Sequence, residues 1–189
     1  MQPCAEVRPA LAILVCTAAL AGCGQANSPA LPAPDASSAE ASADAPRPLA
    51  ELAAQGGELL DGGAPAFEAR LDDLRKYPVV VNKWASWCGP CRAEFPFFQS
   101  QARERAAEVA FIGVNSSDND AEAAEFLSEL PVPYPSYKDP DLEVAEVFNG
   151  VAAFPTTAFY DSNGELAYLK QGGYSTEQDL IEDIERYAR

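Results

Sequence analysis

The chain has 189 residues, of which 48% are hydrophobic, so it is long enough for one domain with extensions and apolar enough to bury a core. Its formal net charge at pH 7 is −16, from 13 basic and 29 acidic residues, and it contains no histidine. This acidity argues against nucleic acid as a partner, because nucleic-acid binding requires a basic face.

The N-terminal residues have the pattern of an export signal. Residues 10–22 form an apolar run of signal-peptide length that is short for a membrane span. The run ends in LAGC, residues 20–23, which resembles the lipobox of bacterial lipoproteins. The resemblance implies a signal peptide over residues 1–22 and a lipid on the thiol of Cys23. A plain secretory signal with an incidental cysteine is the alternative.

The segment that follows has the composition of a linker. Residues 24–48 consist mainly of Ala, Ser, Pro and Asp and contain almost no large apolar side chain. Such a segment buries too little surface to offset the entropy lost on ordering. We therefore expect residues 23–48 to be a lipidated, disordered linker and residues 49–189 to form the folded domain.

Apolar spacing in the folded part alternates between helical and strand periods. Helices are predicted over residues 64–77, 89–107, 118–130, 139–150 and 175–188. Strands are predicted over residues 78–86, 109–115, 156–160 and 166–172, with the last two forming a hairpin. Aspartates are expected to cap the helix over 118–130, and Ser175 the last helix. The order predicts an α/β or α+β protein with one sheet flanked by helices.

Residues 79–96, VVVNKWASWCGPCRAEFP, contain two cysteines separated by Gly and Pro. Cys4 and Cys16 fall in the predicted signal peptide, so Cys88 and Cys91 are the cysteines left in the soluble part. Their spacing places both sulfurs in the first turn of one helix, where free N–H groups and the helix dipole stabilise a thiolate. We expect Cys88 to be the exposed nucleophile and Cys91 the thiol that resolves a mixed disulfide.

The cysteine pair has two alternative interpretations. A zinc site needs about four ligands, and two thiolates without histidine are too few. A purely structural disulfide would close a loop too short to stabilise the fold by much. We therefore expect no metal and no bound cofactor, the redox-active group being the Cys88–Cys91 disulfide itself.

The motif WASWCGPCRAEFP, residues 84–96, resembles the active site of the thioredoxin superfamily, and the longer stretch 79–96 is similar to its membrane-tethered TlpA/ResA branch. FPTT, residues 154–157, occupies the place of the cis-proline loop in that family. The resemblance covers nearly all of residues 49–189. It implies a thioredoxin-like α/β fold with a central mixed sheet flanked by helices, an extra helix inserted before the cis-proline strand, and Pro155 as the cis-proline facing the cysteines.

The resemblance also implies roles for other residues. Asn82 stands where thioredoxin has a buried aspartate, and Glu94 matches the acid that the TlpA/ResA branch uses instead; a solvated helix carboxylate is the alternative for Glu94. The residues expected to face the substrate are Trp87, Pro90 and Phe154.

Lys83 departs from the family, where an aromatic or aliphatic residue is usual. Strand alternation places Lys83 and Asn82 on opposite faces of the sheet, both covered by helices. A buried ammonium needs a partner, so we expect Lys83 either to pair with a carboxylate or to extend to the sheet edge.

The resemblance implies a lipid-anchored thiol–disulfide oxidoreductase on the extracytoplasmic side of the cell membrane. Its expected task is to reduce disulfides of exported proteins, such as those of apocytochrome c in cytochrome c biogenesis, with electrons from a membrane protein. An oxidase that donates its disulfide to exported proteins is the first alternative, and a non-enzymatic, lipid-tethered binding module is the second. A peroxidase of the same fold would need Thr or Ser at the position of Ala85.

Overall fold

The computed structural model describes residues 45–189. The predicted signal peptide (1–22), the predicted lipidation site Cys23 and residues 24–44 of the predicted linker lie outside the described residues. The first helix, α1, spans Arg47–Ala53, so it begins before the expected domain boundary at residue 49. It begins there because Leu49 and Leu52 are buried against the domain, which draws the preceding turn into the helix.

A six-stranded mixed sheet forms the centre of the described part. Its strands are β1 (Leu59–Leu60), β2 (Val79–Trp84), β3 (Ala110–Ser116), β4 (Ser136–Asp139), β5 (Thr156–Tyr160) and β6 (Leu166–Gln171). Their order across the sheet is β1-β4-β3-β2-β5-β6. The first four are parallel to one another, whereas β5 is antiparallel to β2 and β6 is antiparallel to β5. The predicted mixed sheet is confirmed.

Five further helices accompany α1 in the described residues: α2 (Gly63–Asp73), α3 (Gly89–Glu104), α4 (Asp120–Glu129), α5 (Glu143–Val147) and α6 (Glu177–Tyr187). Between β3 and β5 the chain forms α4, β4 and α5, so both helices predicted for this stretch are present, while which of them is the extra helix stays a prediction. No helix within residues 45–189 combines the length and the apolar character needed to cross a membrane.

Every residue of β2 is buried, as expected for a central strand covered on both faces. Val80 and Trp84 belong to the apolar cluster that contains residues of α3, α4 and α6. Val79 and Val81 point the other way, into a cluster that contains residues of α2 and α5. The alternation along this one strand therefore divides the core into two halves and fixes which side chains face which helices.

The helix caps differ from the sequence-based expectation. Helix α6 is capped by Thr176, whose side chain accepts a hydrogen bond from the backbone N–H of Asp179 at 3.2 Å, so the prediction of Ser175 as the cap was wrong by one position. Helix α4 is capped by Asn119, which accepts from the N–H of Glu122, and not by an aspartate. The neighbouring Asp118 is engaged elsewhere, as described below.

Replacing Thr176 by alanine should lower the free energy of unfolding by about 1 kcal/mol, because an N–H at the start of α6 loses its acceptor. Chemical denaturation followed by circular dichroism would measure this loss. Ser175→Ala is the matched control and should have a much smaller effect. Equal losses in the two variants would contradict the assignment of the cap.

Candidate active site

The two cysteines lie at the N-terminus of α3 and form a disulfide with a Cα–Cα distance of 5.3 Å. Cys88 is the cap of this helix: its Sγ accepts a hydrogen bond from the backbone N–H of Cys91 at 3.2 Å. Gly89 and Pro90 fill the first turn, where proline's missing N–H has no intrahelical partner to lose. Unpaired N–H groups and the helix dipole therefore favour negative charge on the sulfur of Cys88.

Both cysteine residues are buried, Cys91 completely and Cys88 almost completely. In the disulfide form Cys88 is 4% exposed and Cys91 is 0% exposed. The expectation of an exposed Cys88 was therefore wrong for this state, because the turn before α3 and the loop ending at Pro155 surround it. The small remaining exposure belongs to Cys88, which makes it the more accessible of the two cysteines.

Three segments that are distant in sequence meet beside the disulfide. The peptide bond between Phe154 and Pro155 is cis. The carbonyl of Pro155 accepts a hydrogen bond from the N–H of Gly172 at 2.9 Å, and Gly172 has a φ of 87°, a left-handed conformation that favours glycine. A Cβ on Gly173 would lie 3.5 Å from Oε2 of Glu94 and 3.6 Å from the ring of Pro155. The loop after β6 thus covers α3 and the proline loop together.

Glu94, one turn after Cys91 on α3, is fully buried, which contradicts the alternative of a solvated helix carboxylate. Its Oε1 accepts from Nδ2 of Asn82 at 2.9 Å, and its Oε2 accepts from the backbone N–H of Tyr174 at 2.9 Å. Burial raises the pKa of Glu94 to about 7, and these two hydrogen bonds and the charge of Lys170 oppose the rise. Glu94 is therefore suited to exchanging a proton near neutral pH.

Asn82 holds Glu94 from the centre of the sheet. Directly opposite it on β5 lies Thr157. Oδ1 of Asn82 and Oγ1 of Thr157 are buried without a hydrogen-bond partner among the described residues. Sequence reasoning identified Asn82 only as the residue in place of thioredoxin's buried aspartate, and it missed that the amide donates the hydrogen bond that fixes the carboxyl of Glu94.

The residues expected to face the substrate form an apolar rim around Cys88. Trp87 is 57% exposed, and its ring centroid lies 4.9 Å from that of the half-buried Phe154. Nε1 of Trp87 donates to the carbonyl of Ser117 at 2.9 Å, which fixes the ring on the surface. Pro90, which lies between the two cysteines in sequence, is exposed as well. The structure brings these three residues to the site, and their contact with substrate stays a prediction.

Asp118 is a site residue that sequence reasoning missed. Its carboxylate accepts from the backbone N–H and the hydroxyl of Ser86, at 2.5 and 2.7 Å, and from Nδ2 of Asn115 at 2.8 Å. Burial acts to raise the pKa of Asp118, but the hydrogen bonds from Ser86, Asn115 and Asn119 outweigh it and lower the pKa. Asp118 ties the turn before Cys88 to the end of β3. The sequence did not reveal this role, because an aspartate just before a helix is ordinarily interpreted as the helix cap.

Lys83 lies on the opposite face of β2 from Asn82 and is fully buried, as expected. Of the two arrangements predicted for Lys83, the ion pair is absent: within residues 45–189 no carboxylate lies within 4.0 Å of its ammonium. Nζ instead donates to the carbonyl of Val151 at 3.4 Å and sits 3.7 Å from the ring centroid of Phe154. Burial lowers the pKa of Lys83 to about 8, against the attraction of Asp139.

In the part of the chain that the structure describes, no group of three or more Cys, Asp or Glu side chains is placed to hold a metal ion. The group at this site with redox chemistry of its own is the cysteine pair, which takes up two electrons when its disulfide opens to two thiols.

Comparisons with known proteins agree with this geometry. A family model described as Redoxin matches residues 32–185. The chain is 29% identical over 112 residues to the thiol-disulfide oxidoreductase ResA of Oceanobacillus iheyensis, covering 58% of this chain and 57% of that protein. It is 37% identical over 95 residues to the thiol:disulfide interchange protein DsbE of Pseudomonas fluorescens, covering 50% of this chain and 51% of that protein. The match thus spans little more than half the length of these two relatives.

A solved structure shows the fold. A thiol:disulfide interchange protein of the thioredoxin family from Chlorobium tepidum superposes with a TM-score of 0.57 at 21% sequence identity, covering 62% of this chain and 84% of that one. The central mixed sheet flanked by helices is therefore thioredoxin-like, as the sequence motif implied.

The unfolding free energy of the disulfide form should depend on pH because the carboxyl of Glu94 is buried. Because the pKa of Glu94 rises from its ordinary value of 4.5 to about 7 on folding, the folded state binds an extra proton between these pH values and loses stability as the pH rises. The unfolding free energy of the wild type minus that of Glu94→Gln should fall by about 3 kcal/mol between pH 4 and pH 8. Denaturant unfolding at a series of pH values measures this difference; a difference independent of pH would contradict it.

Proposed function

The chain belongs to the redoxin family, and on that premise we propose that it is a thiol–disulfide oxidoreductase whose working couple is Cys88 and Cys91. The observation that supports this function most directly is the disulfide across the first turn of α3, with its more accessible sulfur at the helix N-terminus. The buried carboxyl of Glu94 and the loop at Pro155, both beside that turn, supply the surroundings such chemistry needs. The names of the two relatives describe the same reaction class.

The proposed reduction proceeds in two exchanges. In the reduced protein the thiolate of Cys88 attacks one sulfur of a client disulfide, forming a mixed disulfide and releasing the other client sulfur as a thiolate. Cys91 then attacks Sγ of Cys88, so that the Cys88–Cys91 disulfide forms and the second client sulfur leaves. The client gains two electrons and takes two protons, and the protein loses the same two electrons.

Glu94 serves the second exchange in this proposal. Cys91 must lose its proton to attack, and it is enclosed where no water surface is available to take that proton. Glu94 lies one turn further along α3, and its pKa of about 7 lets it be ionised and yet basic enough to accept a proton. Asn82 and the N–H of Tyr174 hold the carboxyl in place during the transfer.

The proposed clients are disulfides of exported proteins, with apocytochrome c as the leading example, and the proposed direction is reduction. The support is the similarity of residues 79–96 to the TlpA/ResA branch and the CGPC sequence, which is also that of thioredoxin. The electrons are proposed to come from a membrane electron-transfer protein. Donation of the disulfide to folding proteins uses the same couple in the reverse direction, so the potential of that couple decides between them.

The proposed location is the extracytoplasmic face of the cell membrane. Its support is the LAGC motif, which would place a lipid on Cys23 after removal of residues 1–22. Residues 24–44, rich in Ala, Ser and Pro, would then connect the anchor to the folded domain as a flexible tether.

Substitution of single cysteines should separate the two exchanges. Cys91→Ser should accumulate a covalent complex with a polypeptide disulfide, since nothing remains to resolve it, whereas Cys88→Ser should accumulate far less because the enclosed Cys91 is poorly reached. Non-reducing electrophoresis and mass spectrometry detect the complex. If neither variant trapped a polypeptide and the wild type reduced none, the chain would be a binding module and not an oxidoreductase.

The reduction potential of the Cys88/Cys91 couple should lie near about −270 mV, the value of thioredoxin. Equilibration of the purified protein against dithiothreitol or glutathione buffers, with alkylation of free thiols, gives this value. A potential near about −120 mV, the range of strong disulfide donors, would overturn the reductase direction and leave the oxidase.

A further inference from the structure

Lys83 is a fully buried cation in the central strand of the sheet, and the chemistry proposed above does not use it. It lies on the face of β2 away from Asn82 and Glu94, the face on which Val79 and Val81 join the second apolar cluster. A buried ammonium is costly unless polar or aromatic groups replace its water. The groups that contact the buried ammonium of Lys83 therefore indicate which part of the structure it stabilises.

Both contacts of the Lys83 ammonium go to one segment, residues 151–154, which leads into Pro155. Nζ donates to the carbonyl of Val151 at 3.4 Å and sits over the ring of Phe154 at 3.7 Å from the centroid. Lys83 is also the residue opposite Thr156 in the pairing of β2 with β5. The cation thus reaches from the sheet to the whole turn that precedes the cis bond.

Burial holds only the second half of this segment, where Phe154 is half-buried and packs against the first apolar cluster. Val151 is 40% exposed, and Ala152 beside it is exposed too. The hydrogen bond from the hydroxyl of Thr156 to the carbonyl of Ala153, at 2.8 Å, secures its middle. At its ends, the carbonyl of Val151 and the ring of Phe154 are fixed from inside by Lys83. An apolar side chain of similar length would fill the space but would neither bond the carbonyl nor attract the ring.

Phe154 transmits this contact to the surface around the disulfide. Its ring packs against that of Trp87 at 4.9 Å between centroids, and Trp87 directly precedes Cys88. Trp87 is fixed independently by its hydrogen bond to the carbonyl of Ser117. Of the two rim residues, Phe154 is thus the one that Lys83 contacts, in addition to its packing against the first apolar cluster.

We propose that Lys83 is a positioning residue for polypeptide substrates: it holds Phe154 and the 151–154 turn so that the rim formed by Trp87 and Phe154 is in place before a client polypeptide docks. The inference rests on the proposed function. It predicts that Lys83 matters more for a polypeptide disulfide, which spans the rim, than for a small disulfide, which reaches Cys88 without it.

The test compares two substrates in the full chain, with dithiothreitol as the source of electrons. kcat/KM is measured for the disulfides of insulin and for glutathione disulfide, and the ratio of the two is the readout. Lys83→Met should lower this ratio by about 10-fold, mainly through KM for insulin, because the cation–π contact is desolvated. Lys76→Met, which removes a lysine at an exposed position, is the control and should leave the ratio unchanged.

Phe154→Leu provides a second variant that keeps Lys83 and removes its aromatic partner. It should lower the ratio by a similar factor, and adding Lys83→Met to it should lower the ratio little further, since both changes remove one contact. Circular dichroism confirms that each variant is folded, and if Lys83→Met is not, Lys83→Gln, which keeps a hydrogen-bond donor but removes the positive charge, is measured in its place.

Three results would overturn the inference. One is an unchanged ratio in folded Lys83→Met, another is an unchanged ratio in Phe154→Leu, and the third is full additivity of the two changes. A wild-type chain that reduced neither insulin nor glutathione disulfide would instead overturn the proposed function, and the inference with it.

Discussion

The alternation of side chains along β2 ties the candidate site to the middle of the sheet. Asn82 and Lys83 are neighbours in sequence, but one holds Glu94 beneath the cysteine helix and the other holds Phe154 beneath the proline loop. The two segments that flank the disulfide are thus positioned from opposite faces of a single, fully buried strand. Because that strand pairs with β3 on one side and β5 on the other, neither contact can move without disturbing the sheet.

Burial of these two partners has opposite effects on their ionisation. It raises the pKa of Glu94 to about 7 and lowers the pKa of Lys83 to about 8, so both groups are shifted toward their neutral forms. Glu94 lies on the cysteine helix, one turn after Cys91, whereas Lys83 lies against the ring of Phe154. In the proposed roles one ionisable group exchanges a proton and the other positions the rim, and the two lie on opposite faces of the same strand.

Much of the site was predictable because its signals are local. The CGPC spacing determines that both cysteines share a helical turn, and FPTT marks the proline loop by its resemblance to a family. The strands β1 and β4 were missed because β1 has only two residues and β4 reads Ser-Tyr-Lys-Asp, without an apolar run. Two contacts were missed for a different reason: the hydrogen bonds that Ser86 donates to Asp118, and the cation–π contact of Lys83 with Phe154. Each joins residues far apart in sequence, and each competes with a more common local use of the same residue type.

The enclosure of Cys91 has a consequence for the order of events. Since Cys88 is the less enclosed of the two cysteines, the proposed client and the proposed electron donor would both react with its sulfur. They cannot occupy it together, so the protein must release one partner before it accepts the other. Under the proposed function, turnover would follow a ping-pong scheme, in which the two partners compete for the sulfur of Cys88 and an excess of either slows the other.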